Sequence, residues 1–198
     1  MVRNFGQLGR GFGSLGRSAR RTTHRPNAPE PGLILKSLLF FGDKDQQGRL
    51  VEAVRIPWSD ILKIFDKDPL AIYQIDPYKW EEIIAGAYQK AGFDEVVLTP
   101  RSGDGGKDII ATKHGIGSIR IFDQVKAYKP DHLVTANDVR AMIGVISATP
   151  NVSKGMITTT SRFAPRVKSD ETIRPFIPYR LELKEKDELM DWLRSVSD

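Results

Sequence analysis

The chain has 198 residues, 40% hydrophobic and 28% charged, which allows one domain with a full core plus an appendage. It contains no cysteine, which excludes disulfides, thiolate zinc sites and a cysteine nucleophile and fits a reducing, cytoplasmic setting. The net charge of +5 lies entirely in the first 31 residues, with six arginines and one acid, while the remainder balances 24 basic against 24 acidic residues.

Residues 1–31 form a basic Arg/Gly-rich tail that repeats the unit Arg-x-Phe-Gly-x-Leu-Gly at 3–9 and 10–16. Two glycines per unit oppose a helix, and Pro26, Pro29 and Pro31 follow, so the expectation is a disordered arm. Arg3, Arg10, Arg17, Arg20, Arg21 and Arg25 are candidate DNA-phosphate contacts, with Phe5 and Phe12 as stacking groups. A solubilising leader is the alternative. No apolar stretch follows the arginines as a secretory signal requires, although organellar transit peptides share the acid-poor, Arg-rich character.

Residues 32–76 read as a small layer of their own. Two strands, 33–41 and 50–56, flank the polar loop 42–48, and Ser59 caps a helix over 60–65 that ends before Asp68-Pro69. The run 33–41 is broken by Lys36 and is too short to cross a bilayer.

From residue 77 to 198 the pattern is clearer. A helix over 78–91 carries Trp80, Ile83, Ile84, Ala87 and Tyr88 on one stripe and stops at Gly92. A strand over 96–99 and a glycine-rich turn over 100–106 follow. The strands 108–112 and 119–126 make a hairpin across 114–118. A helix over 137–147 turns Val139, Met142, Ile143 and Ile146 inward. Then come a strand at 155–159, a short helix at 162–169 interrupted by Pro165, a strand at 179–183 and a helix at 187–196 packing Leu189, Trp192, Leu193 and Val196. The order αβββαβαβα calls for an α/β fold with a mixed central sheet flanked by helices.

The chemistry concentrates at Gly105-Gly106-Lys107-Asp108 and Gln124-Val125-Lys126. Side chains alternate along a strand, so Gln124 and Lys126 share a face. A carboxylate, an amide oxygen and an ammonium at one sheet edge can hold a hard divalent cation beside an activated water. Taken singly, Asp108 reads as a strand-initiating residue and Lys126 as a snorkelling edge residue. Asp104 reads as a turn residue. His24, His114 and His132 lack the spacing of a zinc site, and Lys107 is followed by Asp rather than Ser or Thr, so this is no P-loop. Ser161 reads as a helix cap.

Six segments in order carry a family resemblance: Trp80-Glu81, Gly92-Phe93, 102–108, Gln124-Val125-Lys126, 138–144 and 157–164. Together they resemble the catalytic domain of Mrr-type restriction endonucleases, a Gln-x-Lys variant of the PD-(D/E)xK nucleases, over residues 76–196. The chain departs from the family at Val125 and Ala127-Tyr128, where a small or sulfur residue and a basic residue are common.

The resemblance implies a restriction-endonuclease-like fold with an αβββαβ core. It implies a metal-dependent DNA endonuclease of restriction or antiviral-defence type. Asp108, Gln124 and Glu81 would hold Mg²⁺, or Mn²⁺ as a substitute, and Lys126 would orient the attacking water or offset charge on phosphorus. Gly105 and Gly106 would turn the backbone ahead of Asp108 and leave room for the scissile strand. Double-stranded DNA is the expected partner, and cutting both strands favours a homodimer or higher oligomer with no membrane association. The alternatives are a catalytically silent DNA-binding or assembly module, a junction-type nuclease and an RNA nuclease.

Overall fold

Among the described residues of the computed structural model, seven strands pair in chain order: β1 (Leu39–Lys44), β2 (Arg49–Val54), β3 (Glu95–Leu98), β4 (Ile109–Gly115), β5 (Gly117–Lys126), β6 (Lys154–Thr159) and β7 (Leu181–Lys184). The structure describes residues 39–44, 47–54, 58–100 and 105–196. The expected arm 1–31 lies outside them, as do 33–38 of the first expected strand and Asp104. Pairing is antiparallel from β1 through β5 and parallel from β5 through β7. Parallel neighbours need crossovers. The helix α3 (Ala136–Ala148) supplies the first, and a segment with two short 3₁₀ turns, Val167–Ser169 and Arg174–Phe176, supplies the second.

Period-two alternation divides the sheet between two cores. Val96, Leu98, Ile109, Ala111 and Ile121 face one core with α1 (Trp58–Lys67), α2 (Pro77–Lys90) and α4 (Lys186–Ser195). Val97, Ile110, Phe122 and Ile157 face the other, under Val139, Met142 and Ile146 of α3. Trp80 and Ile83 of α2 are fully buried, and each such side chain contributes roughly 1.5–3 kcal/mol. Two indoles also satisfy their N–H groups: Trp80 Nε1 donates to Ile72 O at 3.0 Å and Trp58 Nε1 to Leu193 O at 2.8 Å. The second bond ties α1 to α4.

The helix ends follow from local chemistry. Asp76 caps α2 by accepting from Tyr78 N at 2.9 Å, with Pro77 in the first helical position. Gly92, at φ 79°, ends it in a Schellman turn, with Phe93 N donating to Tyr88 O and Gly92 N to Gln89 O. Thr135 and Asp138 form a reciprocal capping box on α3.

Several expectations need correction. The segment 42–44, expected as loop, continues β1. Ser59 lies inside α1, which already includes Trp58. The strands β4 and β5 run through 114–118 and turn at Ile116, because Gly117 adopts φ 93° and closes the hairpin tightly. No helix forms over 162–169. There Phe163 bridges to Val134 in extended conformation and Arg166 takes a left-handed φ of 70°, leaving only the 3₁₀ turn. Tyr179 is exposed ahead of β7, Ile143 is only half-buried and Ser161 caps nothing, donating instead to Pro130 O at 3.3 Å. The described part of 32–76 is not a separate layer. It shares one sheet with the residues that follow through the register Arg49↔Leu98 and Leu50↔Val97, and α1 shares their core.

Gly48 permits that joint. A Cβ there would stand 2.0 Å from Leu98 O and 2.9 Å from Thr99 Cα, both backbone atoms. Gly48→Ala is expected to cost about 1–3 kcal/mol, read as a lower urea midpoint. An unchanged midpoint would show that the β2–β3 joint yields freely.

Candidate active site

Gly105 and Gly106, at φ 64° and 77°, turn the chain into β4. Only glycine takes such angles without steric cost, and a Cβ on Gly106 would also press within 3.3 Å of Val145 on α3. The turn as expected at these glycines is therefore present. It delivers Asp108 between two strands: Thr99 N donates to Asp108 O at 3.0 Å, and Asp108 N donates to Asp123 O at 2.9 Å. The carboxylate completes the latch, with Oδ2 accepting from Val125 N at 2.7 Å. Asp108 thus docks on the peptide N–H between Gln124 and Lys126.

On β5 the alternation sends Ile121, Asp123 and Val125 toward α2, and Phe122, Gln124 and Lys126 toward α3. Gln124 and Lys126 are both half-buried. Lys126 Nζ lies 3.7 Å from Asp138 Oδ1 on α3. Burial tends to raise the Asp138 carboxyl, but hydrogen bonds from the Thr135 hydroxyl and N–H, with the Lys126 charge, hold it below the usual carboxylate range. The cap of α3 therefore keeps a negative partner beside the candidate catalytic lysine.

Glu81 stands half-buried in the second turn of α2, on the side of the sheet opposite α3. Its neighbour Glu82 is engaged by Lys79 at 2.5 Å. The structure therefore joins Asp108, Gln124 and Lys126 at one end of the β4–β5 pair, with Glu81 on a different layer. No group of three or more His, Cys, Asp and Glu side chains converges among the described residues. Asp108 and Gln124 bring one carboxylate and one amide to neighbouring strand ends. That all-oxygen set suits Mg²⁺, which keeps several waters and takes few protein ligands. His114 pairs with Ser118 at 3.1 Å and His132 stacks on Tyr128, so neither joins it.

Asp123 escaped the sequence reading. It is fully buried, and its Oδ2 accepts from Tyr88 Oη at 3.0 Å and Thr158 Oγ1 at 2.9 Å. Oδ1 is buried without a hydrogen-bond partner among the described residues. Burial pushes the carboxyl up to about 7; the Thr158 and Tyr88 hydroxyls pull it back, and the Asp108 charge adds to the rise. Burial and the adjacent Asp123 raise the Tyr88 phenol well above its usual value, so it remains a donor. The signal was present: an acid at 123 shares strand parity with Ile121 and Val125, which face inward.

A groove runs beside the latch, lined by Thr99, Lys107, Arg120, Phe122 and Asn151. Both cations lie over the Phe122 ring, Lys107 Nζ at 5.2 Å and the Arg120 guanidinium at 5.5 Å. Two cations thus line this groove, one of them, Lys107, on the residue before Asp108.

Residues 72–193 match the model of the Mrr_cat family, described as restriction endonuclease. Among solved structures, the chain is similar to MspJI restriction endonuclease in complex with a 27-mer oligonucleotide. Identity is 18% and the TM-score 0.43, covering 71% of this chain and 31% of that one. It is also similar to the DNA modification-dependent restriction endonuclease AspBHI, at 20% identity and a TM-score of 0.46, covering 82% of this chain and 40% of that one. The chain spans well under half the length of either. A search of curated proteins gave no match.

Proposed function

We propose that this chain, which belongs to the Mrr_cat family of restriction endonucleases, hydrolyses DNA phosphodiester bonds with the aid of a divalent cation. The observation that carries this reading is the latch of Asp108 onto Val125 N–H, between Gln124 and Lys126. It puts an acid, an amide and an ammonium on adjacent strand ends, groups able to hold a divalent cation and to offset charge on a phosphate. The family match spans all of them and Glu81.

Asp108 and Gln124 would hold Mg²⁺ or Mn²⁺, with Glu81 contributing from α2. The ion, when bound, polarises the phosphate and lowers the pKa of a bound water. Lys126 would orient the attacking water or offset charge developing on the phosphoryl oxygens, and the Asp138 carboxylate steadies its position. Lys107 and Arg120 receive backbone phosphates in the groove beside Phe122. Gly105 and Gly106 leave the turn without side chains where the scissile strand would approach. Double-stranded DNA is the substrate on this reading, and a dimer would place two sites for two strands. No described helix is long and apolar enough to cross a membrane.

The test is plasmid cleavage. Purified protein is expected to nick or linearise plasmid in Mg²⁺ or Mn²⁺ and to stop in chelator. Inertness on methylated, unmethylated, branched and single-stranded DNA would sink the reading. Tight binding without metal-dependent cutting would instead identify a silent DNA-binding module.

The arm gives a separate prediction. Each arginine–phosphate contact adds about 0.9 to the slope of log K against log salt on duplex DNA. Replacing Arg3, Arg10, Arg17, Arg20, Arg21 and Arg25 with glutamine should flatten that slope by up to about 5. An unchanged slope would assign the arm a role away from DNA.

A further inference from the structure

We propose that Tyr88, Asp123 and Thr158 form a buried clamp that positions the candidate catalytic residues relative to one another. The inference rests on the nuclease reading above and goes beyond it, because none of the three side chains belongs to the proposed ligand set.

The clamp joins three elements at one carboxylate. Tyr88 comes from α2, Asp123 from β5 and Thr158 from β6, and all three are essentially inaccessible to solvent. Each element also carries or supports a site residue. Tyr88 lies seven positions, two helical turns, after Glu81 on α2, so the two share a face of the helix. Asp123 immediately precedes Gln124, and its backbone oxygen takes the Asp108 N–H at 2.9 Å. Thr158 sits on the β6 strand directly opposite Val125, whose N–H holds the Asp108 carboxylate. Tyr88 Oη also lies 3.1 Å from Met156 Sδ, which adds a further contact with β6. Moving the clamp shifts α2 against β5, and with it Glu81 against Gln124, Lys126 and Asp108.

A purely structural core gives no reason for this choice. An apolar side chain at position 123 would pack between Ile121 and Val125 without desolvating a carboxyl, and here one oxygen is buried with no hydrogen-bond partner among the described residues. What a converging hydrogen-bond network adds is a single relative placement of its members. Placement is what the site needs, since a displacement of ~1 Å at a reacting centre can cost roughly 10²-fold in rate.

Steady-state cleavage of plasmid by the full chain tests the clamp, at a temperature where every variant is folded by circular dichroism. Tyr88→Phe and Thr158→Val are expected to lower kcat at least tenfold and to raise the Mg²⁺ needed for half-maximal rate at least threefold. The KM for DNA should stay within twofold. Asp123→Leu removes the shared acceptor and should behave alike, while Asp123→Asn, which keeps an oxygen acceptor, should recover most of the lost rate. Ile173→Ala, a truncation in the other core, under α3 and not in the cluster that holds Tyr88, should lower the melting temperature and leave both readouts unchanged. The clamp is overturned if Tyr88→Phe and Thr158→Val keep wild-type kcat and metal dependence, or if Ile173→Ala shifts them equally. An inert wild type would sink the nuclease reading and the clamp with it; an active wild type with unaffected clamp variants would sink the clamp alone.

Discussion

Asp108→Asn is expected to lower plasmid cleavage by roughly 10²–10³-fold, the scale seen when one preorganised electrostatic group is removed from a reacting centre. The substitution separates two roles of this side chain. Asn keeps an oxygen that can accept from Val125 N–H, so the latch between β4 and β5 can survive. It removes the charge that would hold the cation. Asp108→Ala removes both, and should add a stability loss of about 1–3 kcal/mol because Val125 N–H is left without its acceptor. The pair therefore reads charge and latch independently, by cleavage rate and by urea midpoint. Lys126→Met, which keeps the length of the stem, should lower the rate on a similar scale with a smaller stability change. Among the described residues its ion pair is the 3.7 Å approach to Asp138, and partly exposed pairs of this kind contribute little. Asp108→Asn cutting within threefold of wild type would remove Asp108 from the ligand set.

The site was legible in the sequence to the extent that its parts are local. Gln124 and Lys126 share a face because a strand alternates, and Gly105 and Gly106 take positive φ because the turn into β4 demands it. The α2 stripe ending at Gly92 and the order of strands from β3 to β6 followed from period and punctuation in the same way. What failed depended on distant partners. Nothing within 33–56 states that Arg49 will pair with Leu98, so a hairpin at the sheet edge looked like a separate layer. The extended segment at Phe163 is fixed by its bridge to Val134, which local propensity could not register. Asp123 is the sharpest case. Its parity pointed inward, but an inward acid becomes tolerable only when Tyr88 and Thr158, each 35 residues away, bring hydroxyls to it.

That same buried acid makes stability depend on pH in a direction opposite to a salt-bridged carboxylate. Its value in the fold is about 7 against an ordinary 3.8, so the folded state holds the proton more tightly than the unfolded chain. Below about pH 4 both states are protonated and Asp123 imposes no penalty. As pH rises from about 4 to about 7 the unfolded chain releases the proton first, and the fold loses stability progressively. Above about pH 7 both states are ionised and the penalty is constant, at most about 4 kcal/mol for a difference of about three pKa units. Asp123→Asn removes the titration while keeping an acceptor for the two hydroxyls. The stability of that variant minus wild type, from urea unfolding in chelator, should climb by 2–4 kcal/mol between about pH 4 and 7.5 and then level off. Taking the difference cancels the carboxylates that do not interact with Asp123. A difference that stays flat across this range would mean that Asp123 is already ionised in the fold near pH 4. The Tyr88 and Thr158 hydroxyls would then be solvating a charge well enough to offset its burial, and the clamp would be an anion site in its own right.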